Sequence, residues 1–149
     1  MVEVRRVSGP YLNEPLKLLE KFVRDWEPSS PDFARLFRRE VERGNIEMLA
    51  AYLGGSVLGV AVLAFRPAIS IGGCFASVEE LYVEPDSRNR GVGRALLKTI
   101  EERCASKNVS YIEVQTTEED AVAFYRASGY EVDSEVWVLS RSVALRDRR

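Results

Sequence analysis

The chain has 149 residues, 46% of them hydrophobic and 30% charged, and a formal net charge of −2 at pH 7. This length and apolar content suit one folded unit with a buried core, so we predict a single domain over residues 1–149. The small net charge gives no reason to expect nucleic-acid binding. No apolar run approaches the ~20 residues that cross a bilayer, and the amino terminus does not resemble a signal peptide; we therefore expect no membrane association and a cytoplasmic location.

Histidine is absent from the chain. The commonest general base and the commonest zinc ligand are therefore missing, and proton transfer must use carboxylate, tyrosine, cysteine, lysine or water. Cys74 and Cys104 do not have the spacing of metal ligands. We expect two reduced, buried thiols and no metal site.

Hydrophobic periodicity and turn signals predict a mixed α/β domain. A helix whose first cap is Ser30 or Asp32 stops near Gly44, and Gly54-Gly55 is typical of a two-residue hairpin. Strands are expected at about residues 2–7, 47–53, 56–65, 75–83, 111–115, 130–133 and 136–143. Helices are expected at about 11–24, after the cap near residue 30, from the glycines near 91 to about 107, and at 119–127.

A glycine- and arginine-rich turn separates the fourth predicted strand from the third predicted helix. Helix starts carry unpaired N–H groups and partial positive charge, and glycines let the backbone approach an anion closely. This construction predicts a pyrophosphate site, formed mostly by backbone N–H groups with arginine side chains adding charge. The residues assigned to it are Arg88, Asn89, Arg90, Gly91, Val92, Gly93 and Arg94.

Two other phosphate-binding loops do not fit this turn. A nucleotide-triphosphate loop needs Gly-Lys-Ser/Thr, whereas Arg94 and Ala95 follow Gly93. The dinucleotide fingerprint needs a third small residue where this chain has Leu96.

The segment Arg88-x-x-Gly91-x-Gly93 resembles motif A of the GNAT acyl-CoA N-acyltransferases, Arg/Gln-x-x-Gly-x-Gly/Ala. Residues 121–130, Ala-Val-Ala-Phe-Tyr-Arg-Ala-Ser-Gly-Tyr, resemble motif B, Ala-x-x-Phe-Tyr-x-x-x-Gly-Phe/Tyr. The two motifs occur in the family's order, with room between them for one helix and one strand, and the resemblance covers roughly residues 73–135. Motif B commonly has an Asn where this chain has Glu118, so that contact to the cofactor is not carried over.

The resemblance implies a GNAT-like fold: a mixed, mostly antiparallel sheet of six to seven strands with four helices, in which strands four and five splay around the cofactor. It implies that acetyl-CoA is the acetyl donor. The main chain of Leu81, Tyr82 and Val83 is expected to pair with the pantetheine amides as an added strand would. One of these N–H groups is expected to polarise the thioester carbonyl.

The resemblance also implies catalytic residues. Tyr125 matches the family tyrosine that protonates the departing thiolate. Glu79 and Glu80 are the candidate bases on the fourth strand; strict alternation puts Glu79 on the same face as Ser77, the face that usually carries family bases, and therefore favours Glu79. A water chain is the alternative base.

The acceptor is expected to be a primary amine of a small molecule or peptide. Trp26, beside the acidic Asp25, Glu27 and Asp32, would suit a cationic amine, but a charged surface loop containing one aromatic is equally ordinary. The alternatives are a protein N-terminal or lysine acetyltransferase and a non-catalytic acyl-CoA-binding module. A homodimer is common in the family.

Overall fold

The computed structural model describes residues 1–144. The chain divides into two compact units, Met1–Gln115 and Thr116–Arg149. The single domain over residues 1–149 stays a prediction.

The first unit contains five strands and three helices. The strands are β1 (Glu3–Val7), β2 (Ile46–Leu53), β3 (Ser56–Ala68), β4 (Gly73–Val83) and β5 (Ile112–Val114). The helices are α1 (Asn13–Val23), α2 (Pro31–Glu42) and α3 (Val92–Ser106), and the second unit contains α4 (Glu119–Ala127). Short 3-10 turns occupy Gly9–Leu12 and Pro85–Ser87.

The five strands form one sheet in the order β1-β2-β3-β4-β5. The first three pairings are antiparallel, and β4 pairs with β5 in parallel. The hairpin predicted at Gly54-Gly55 is confirmed: both glycines have positive φ, 59° and 88°, as the tight turns that match strand twist require.

The prediction of six to seven strands is wrong, because the sheet formed by residues 1–144 has five. The described residues from 128 to 144 contain no strand, although 130–133 and 136–143 have strand-like composition. Trp137 is 87% exposed and Leu139 is 88% exposed. β-Propensity reports how well side chains suit a packed sheet surface, and it does not supply the neighbouring strand whose hydrogen bonds make a segment a strand.

The two faces of the sheet carry different helices. On one face Val60 and Val62 of β3 belong to a buried cluster that includes Leu12 before α1 and Phe37 of α2. Adjacent residues of a strand point to opposite faces, and Gly59 faces α3. A Cβ at Gly59 would lie only 3.0 Å from Val92 Cγ1 and 3.1 Å from Leu96 Cδ1, so the absence of a side chain lets the first turn of α3 sit close to the sheet.

The end of α3 is fixed by a buried carboxylate. Glu47 of β2 is 4% exposed, and its two oxygens accept hydrogen bonds from Arg103 Nε at 2.8 Å and Nη2 at 2.9 Å. Arg6 and Lys107 each approach it to 3.5 Å. Burial by itself raises the pKa of Glu47, but the hydrogen bonds and charge of Arg103 and the charges of Lys107 and Arg6 outweigh it and leave the pKa lowered.

Helix α2 starts as the sequence predicts. Ser30 is the cap of the two candidates: its hydroxyl accepts from the Phe33 N–H at 3.2 Å, and Pro31 occupies the first helical position. Proline suits that position because its missing N–H is not needed there.

Candidate active site

Strand β4 contains a β-bulge at Glu79. Its partners on β3 run Leu63↔Val78 and then Val62↔Glu80, so Glu79 is an extra residue without a partner on β3. A bulge of this kind resets the alternation of the strand. The strict alternation used in the sequence prediction therefore does not hold beyond Val78.

The backbone directions show this reset. Ala76 donates its N–H to Tyr111 O, next to β5, at 2.9 Å, whereas Glu84, also an even-numbered residue, donates to Leu58 O on the β3 side at 2.8 Å. Since N–H and C=O directions alternate along a strand, the backbone groups of Leu81 and Val83 point away from β3.

The edge formed by Leu81 and Val83 is open in the described part of the chain. Pairing of β4 with β5 ends at Val78↔Val114, and β4 continues to Val83. The backbone of Tyr82 faces β3, where its carbonyl oxygen lies 3.1 Å from the position of an added Gly59 Cβ. Of the three residues predicted to pair with pantetheine, Leu81 presents its backbone N–H and C=O at this edge and Val83 presents its N–H, since the Val83 carbonyl accepts from Arg88. The Tyr82 backbone does not face this edge.

The turn after β4 has the backbone shape of an anion-binding loop. Asn89 has φ 62° and Gly91 has φ 82°, both left-handed. The first hydrogen bond into α3 runs from Ala95 N–H to Gly91 O at 3.0 Å, so the N–H groups of the first helical turn, Val92–Arg94, have no acceptor within the helix. Alternating left- and right-handed residues at a helix start form a concavity for anions.

Arg88 joins this loop to the open edge of β4. Its Nε donates to Val83 O at 3.1 Å, and its guanidinium lies 5.2 Å from the centre of the Tyr82 ring. The structure thus brings the two halves of the predicted cofactor site together through one side chain. Arg90 and Arg94 are exposed and make no ion pair among the described residues.

The two candidate bases differ in their surroundings. Glu79 is exposed, whereas Glu80 is half-buried, and burial first, then the charge of Glu79, raises the pKa of Glu80. Glu80 lies opposite Val62, which places it on the sheet face that packs against α1 and α2. Because of the bulge, Glu80 takes the face that simple alternation gives to Glu79.

An aromatic stack holds the end of α1 against β4. Phe22 and Tyr82 have ring centroids 4.8 Å apart and planes inclined by 22°. The Lys21 ammonium lies 4.7 Å from the centre of the Phe22 ring and 5.0 Å from that of Trp26. Of this cluster, the sequence identified only Trp26 as a candidate site residue. Lys21, Phe22 and the stacking of Tyr82 on Phe22 were not predicted, because the only sequence signal for them was that Phe22 is an apolar residue on the inner face of α1.

Tyr125 lies in the second unit, on α4. It is 8% exposed, and burial raises its pKa to about 12. Its ring contacts those of Phe124 and Tyr130, at centroid distances of 5.2 and 5.4 Å. Such a phenol stays protonated at all physiological pH values and can donate a proton.

The cysteines are free thiols. Cys104 is buried as predicted, and burial chiefly raises its pKa. Cys74 is exposed, so the prediction that both are buried is wrong: Cys74 lies at the start of β4, before the strand enters the core. Within residues 1–144 no group of three or more acidic or sulfur side chains is placed to hold a metal, and no helix there is long and apolar enough to cross a bilayer.

Comparison with known proteins gives one family. The model described as the "Acetyltransferase (GNAT) family" matches residues 15–130. The N-alpha-acetyltransferase RimI of Mycobacterium tuberculosis is 30% identical over 115 residues, covering 74% of this chain and 65% of that protein.

Two solved structures share the fold. An aminoglycoside acetyltransferase from an uncultured soil metagenomic sample, in complex with trehalose, has a TM-score of 0.82 at 18% identity, covering 96% of this chain and 97% of its own. A predicted acetyltransferase with acetyl-CoA from Clostridium acetobutylicum has a TM-score of 0.77 at 17% identity, covering 94% and 96%. At these identities the likeness concerns the fold alone.

Proposed function

Because the chain belongs to the GNAT family of acetyltransferases, we propose that it transfers an acetyl group from acetyl-CoA to a primary amine of a small molecule or peptide. The observation that carries the proposal is the junction of β4 and α3. There an anion-binding loop and an open strand edge lie side by side and are joined by the hydrogen bond from Arg88 to Val83.

Acetyl-CoA offers a pyrophosphate, an amide-bearing arm and a thioester. The N–H groups of residues 89–94 suit the pyrophosphate, whereas the Arg88 N–H donates to Pro85 O at 3.3 Å. The open backbone groups of Leu81 and Val83 suit the amides and the thioester carbonyl. The Val83 carbonyl already accepts a hydrogen bond from Arg88. The Val83 N–H is therefore the group that remains to bind acetyl-CoA.

The acceptor amine must lose a proton before it can attack. At pH 7 a primary amine with a pKa near 10.4 is mostly protonated, a deficit of about 4–5 kcal/mol. We assign the base role to Glu80 rather than Glu79, because burial raises the pKa of Glu80 toward the range in which a carboxylate accepts protons effectively. The nitrogen then attacks the carbonyl carbon, the C–S bond breaks, and Tyr125 gives its proton to the departing sulfur; the second proton, which the nitrogen loses on becoming an amide, returns to Tyr125 through solvent.

Three further features stay predictions that depend on this function: a cytoplasmic location, a homodimer, and strands β4 and β5 splayed around acetyl-CoA. Pairing of only three residues between β4 and β5, from Ala76 to Val78, supports the last of these. The alternative within the same reaction is a protein N-terminal or lysine acetyltransferase, and the likeness to the N-alpha-acetyltransferase RimI supports it.

Release of free thiol from acetyl-CoA, measured with a panel of amines and an amine-free blank, tests the proposal. Amine-dependent release together with an acetylated product of the expected mass is the predicted result. Binding of acetyl-CoA without release on any amine class would instead identify a non-catalytic acyl-CoA-binding module.

A further inference from the structure

We propose that Lys21 selects the acceptor: the preferred substrate is an amine that carries a carboxylate on the same molecule, as an amino acid does, and Lys21 binds that carboxylate. This inference depends on the proposed function. It concerns the substrate class of the same site.

Lys21 is a half-buried cation that lacks a carboxylate partner. Its ammonium sits over the rings of Phe22 and Trp26, 4.7 and 5.0 Å from their centres. Among residues 1–144 no carboxylate forms an ion pair with it. Two aromatic rings hold the cation in place, and its charge remains available to an anion.

The position of Lys21 is tied to the reacting centre. The neighbouring Phe22 stacks on Tyr82, and Tyr82 and Glu80 lie opposite Val60 and Val62 of β3. Both therefore project from the same face of β4, on the side of α1. The cation of Lys21 and the carboxylate of Glu80 thus belong to the same side of the sheet, as an amine with a carboxylate would require.

A polycationic acceptor fits this side poorly. The ring of Tyr82 already has the Arg88 guanidinium at 5.2 Å, and Lys21 occupies the faces of Phe22 and Trp26. Three of the acidic residues nearby are also engaged, whereas Asp25 forms no ion pair among residues 1–144.

The Ser29 N–H donates to Glu20 Oε2 at 2.6 Å, Glu27 pairs with Arg24 at 3.6 Å, and Asp32 pairs with Arg35. The alternative in which Trp26 and its acidic neighbours receive a cationic amine is therefore less well supported than recognition of an anion.

The test compares three acceptors: L-phenylalanine, its uncharged amide L-phenylalaninamide, and the polycation spermidine. For each, kcat and KM are measured on the wild-type protein, Lys21→Glu and Lys21→Arg. Lys17→Glu is the matched control, because it makes the same charge change one helical turn earlier, where the side chain is exposed. Ratios between variants cancel the different basicity of the acceptor amines.

We expect Lys21→Glu to lower kcat/KM for phenylalanine at least about tenfold, through KM. It should leave the amide nearly unchanged and raise the value for spermidine, while Lys21→Arg and Lys17→Glu stay near wild type.

A parallel loss on all three acceptors, or a wild-type preference for spermidine over phenylalanine, would overturn the inference and leave the acetyltransferase intact. Absence of thiol release with every amine would instead remove the proposed function, and the inference with it.

Discussion

Gly59 of β3 lies directly beneath Val92 of α3, so close that a Cβ on Gly59 would be 3.0 Å from Val92 Cγ1. Val92 is the first residue of α3, and it lies within residues 88–94, which we assign to the pyrophosphate. Close approach of this helix to the sheet therefore sets the position of the residues that we assign to the pyrophosphate.

Replacing Gly59 with valine should destabilise the protein by about 1–3 kcal/mol, because the added atoms overlap Val92, Leu96 and the Tyr82 carbonyl. It should also weaken acetyl-CoA binding by displacing the start of α3. Gly73→Ala is the control, since nothing lies within 4 Å of an added Cβ there. Denaturant midpoints would check this, and equal midpoints for the two variants would contradict it.

Replacing Glu47 with glutamine should cost about 2–3 kcal/mol of unfolding free energy, since Arg103 then keeps a partly buried charge without its counter-charge. The lowered pKa of Glu47 adds a pH dependence. This contribution is present above the unfolded-state pKa near 4.5 and is lost as pH falls through the lower folded-state value.

Unfolding midpoints between pH 3 and pH 7 would measure the effect of Glu47→Gln. The gap between wild type and variant should shrink at acid pH, whereas Glu3→Gln, which disrupts the exposed pair with Arg5, should leave the midpoint unchanged. A constant gap across the range would show that Glu47 acts by packing rather than by charge.

Substitutions of the two adjacent glutamates of β4 should change the pH–rate profile in different ways. With Glu80 as base, kcat/KM rises with pH through a limb that lies above the ordinary carboxylate pKa of 4.5, since burial raises its pKa. Glu80→Gln should remove this limb and lower the rate about 10²-fold.

Glu79→Gln should keep the rate and move the limb to lower pH, because the charge of Glu79 is the second cause of the raised pKa. If Glu79→Gln loses the limb and Glu80→Gln keeps it, the base is Glu79. If neither variant loses the limb, water accepts the proton of the amine.

Tyr125→Phe should lower kcat about 10²-fold with little change in acetyl-CoA affinity. Since the pKa of Tyr125 is about 12, its hydroxyl is protonated throughout, and the loss should be the same at every pH below about 11. Pre-steady-state thiol release would measure the step directly. Tyr111→Phe, at an exposed tyrosine, is the control, and a matching fall in cofactor affinity would remove the acid assignment.

Local signals predicted most of the first unit. The cap at Ser30, the turn at Gly54-Gly55 and the start of α3 after Gly91 each depend on residues adjacent in sequence, and the structure has them there. Motif A and motif B are equally local, so the family could be recognised from the residues alone.

Features that depend on distant pairing could not be predicted in this way. The bulge at Glu79 exists only relative to β3, and it gives Glu80 the sheet face that simple alternation assigns to Glu79. The stack of Phe22 on Tyr82 joins residues 60 positions apart. The prediction of two extra strands, at 130–133 and 136–143, was wrong for the same reason, because the composition of such a segment does not specify the strand with which it would pair.

Acetyl-CoA binding to wild type, Gly91→Ala and Gly55→Ala, measured by calorimetry, tests the central claim most directly. Both glycines have positive φ, 82° and 88°, with nothing within 4 Å of an added Cβ, so both substitutions carry similar backbone strain, of order 1 kcal/mol. We predict that wild type and Gly55→Ala bind acetyl-CoA alike and that Gly91→Ala binds it about tenfold more weakly. Absence of binding by the wild-type protein, or equal affinity of all three proteins, would contradict the assignment of residues 88–94 to the pyrophosphate of acetyl-CoA.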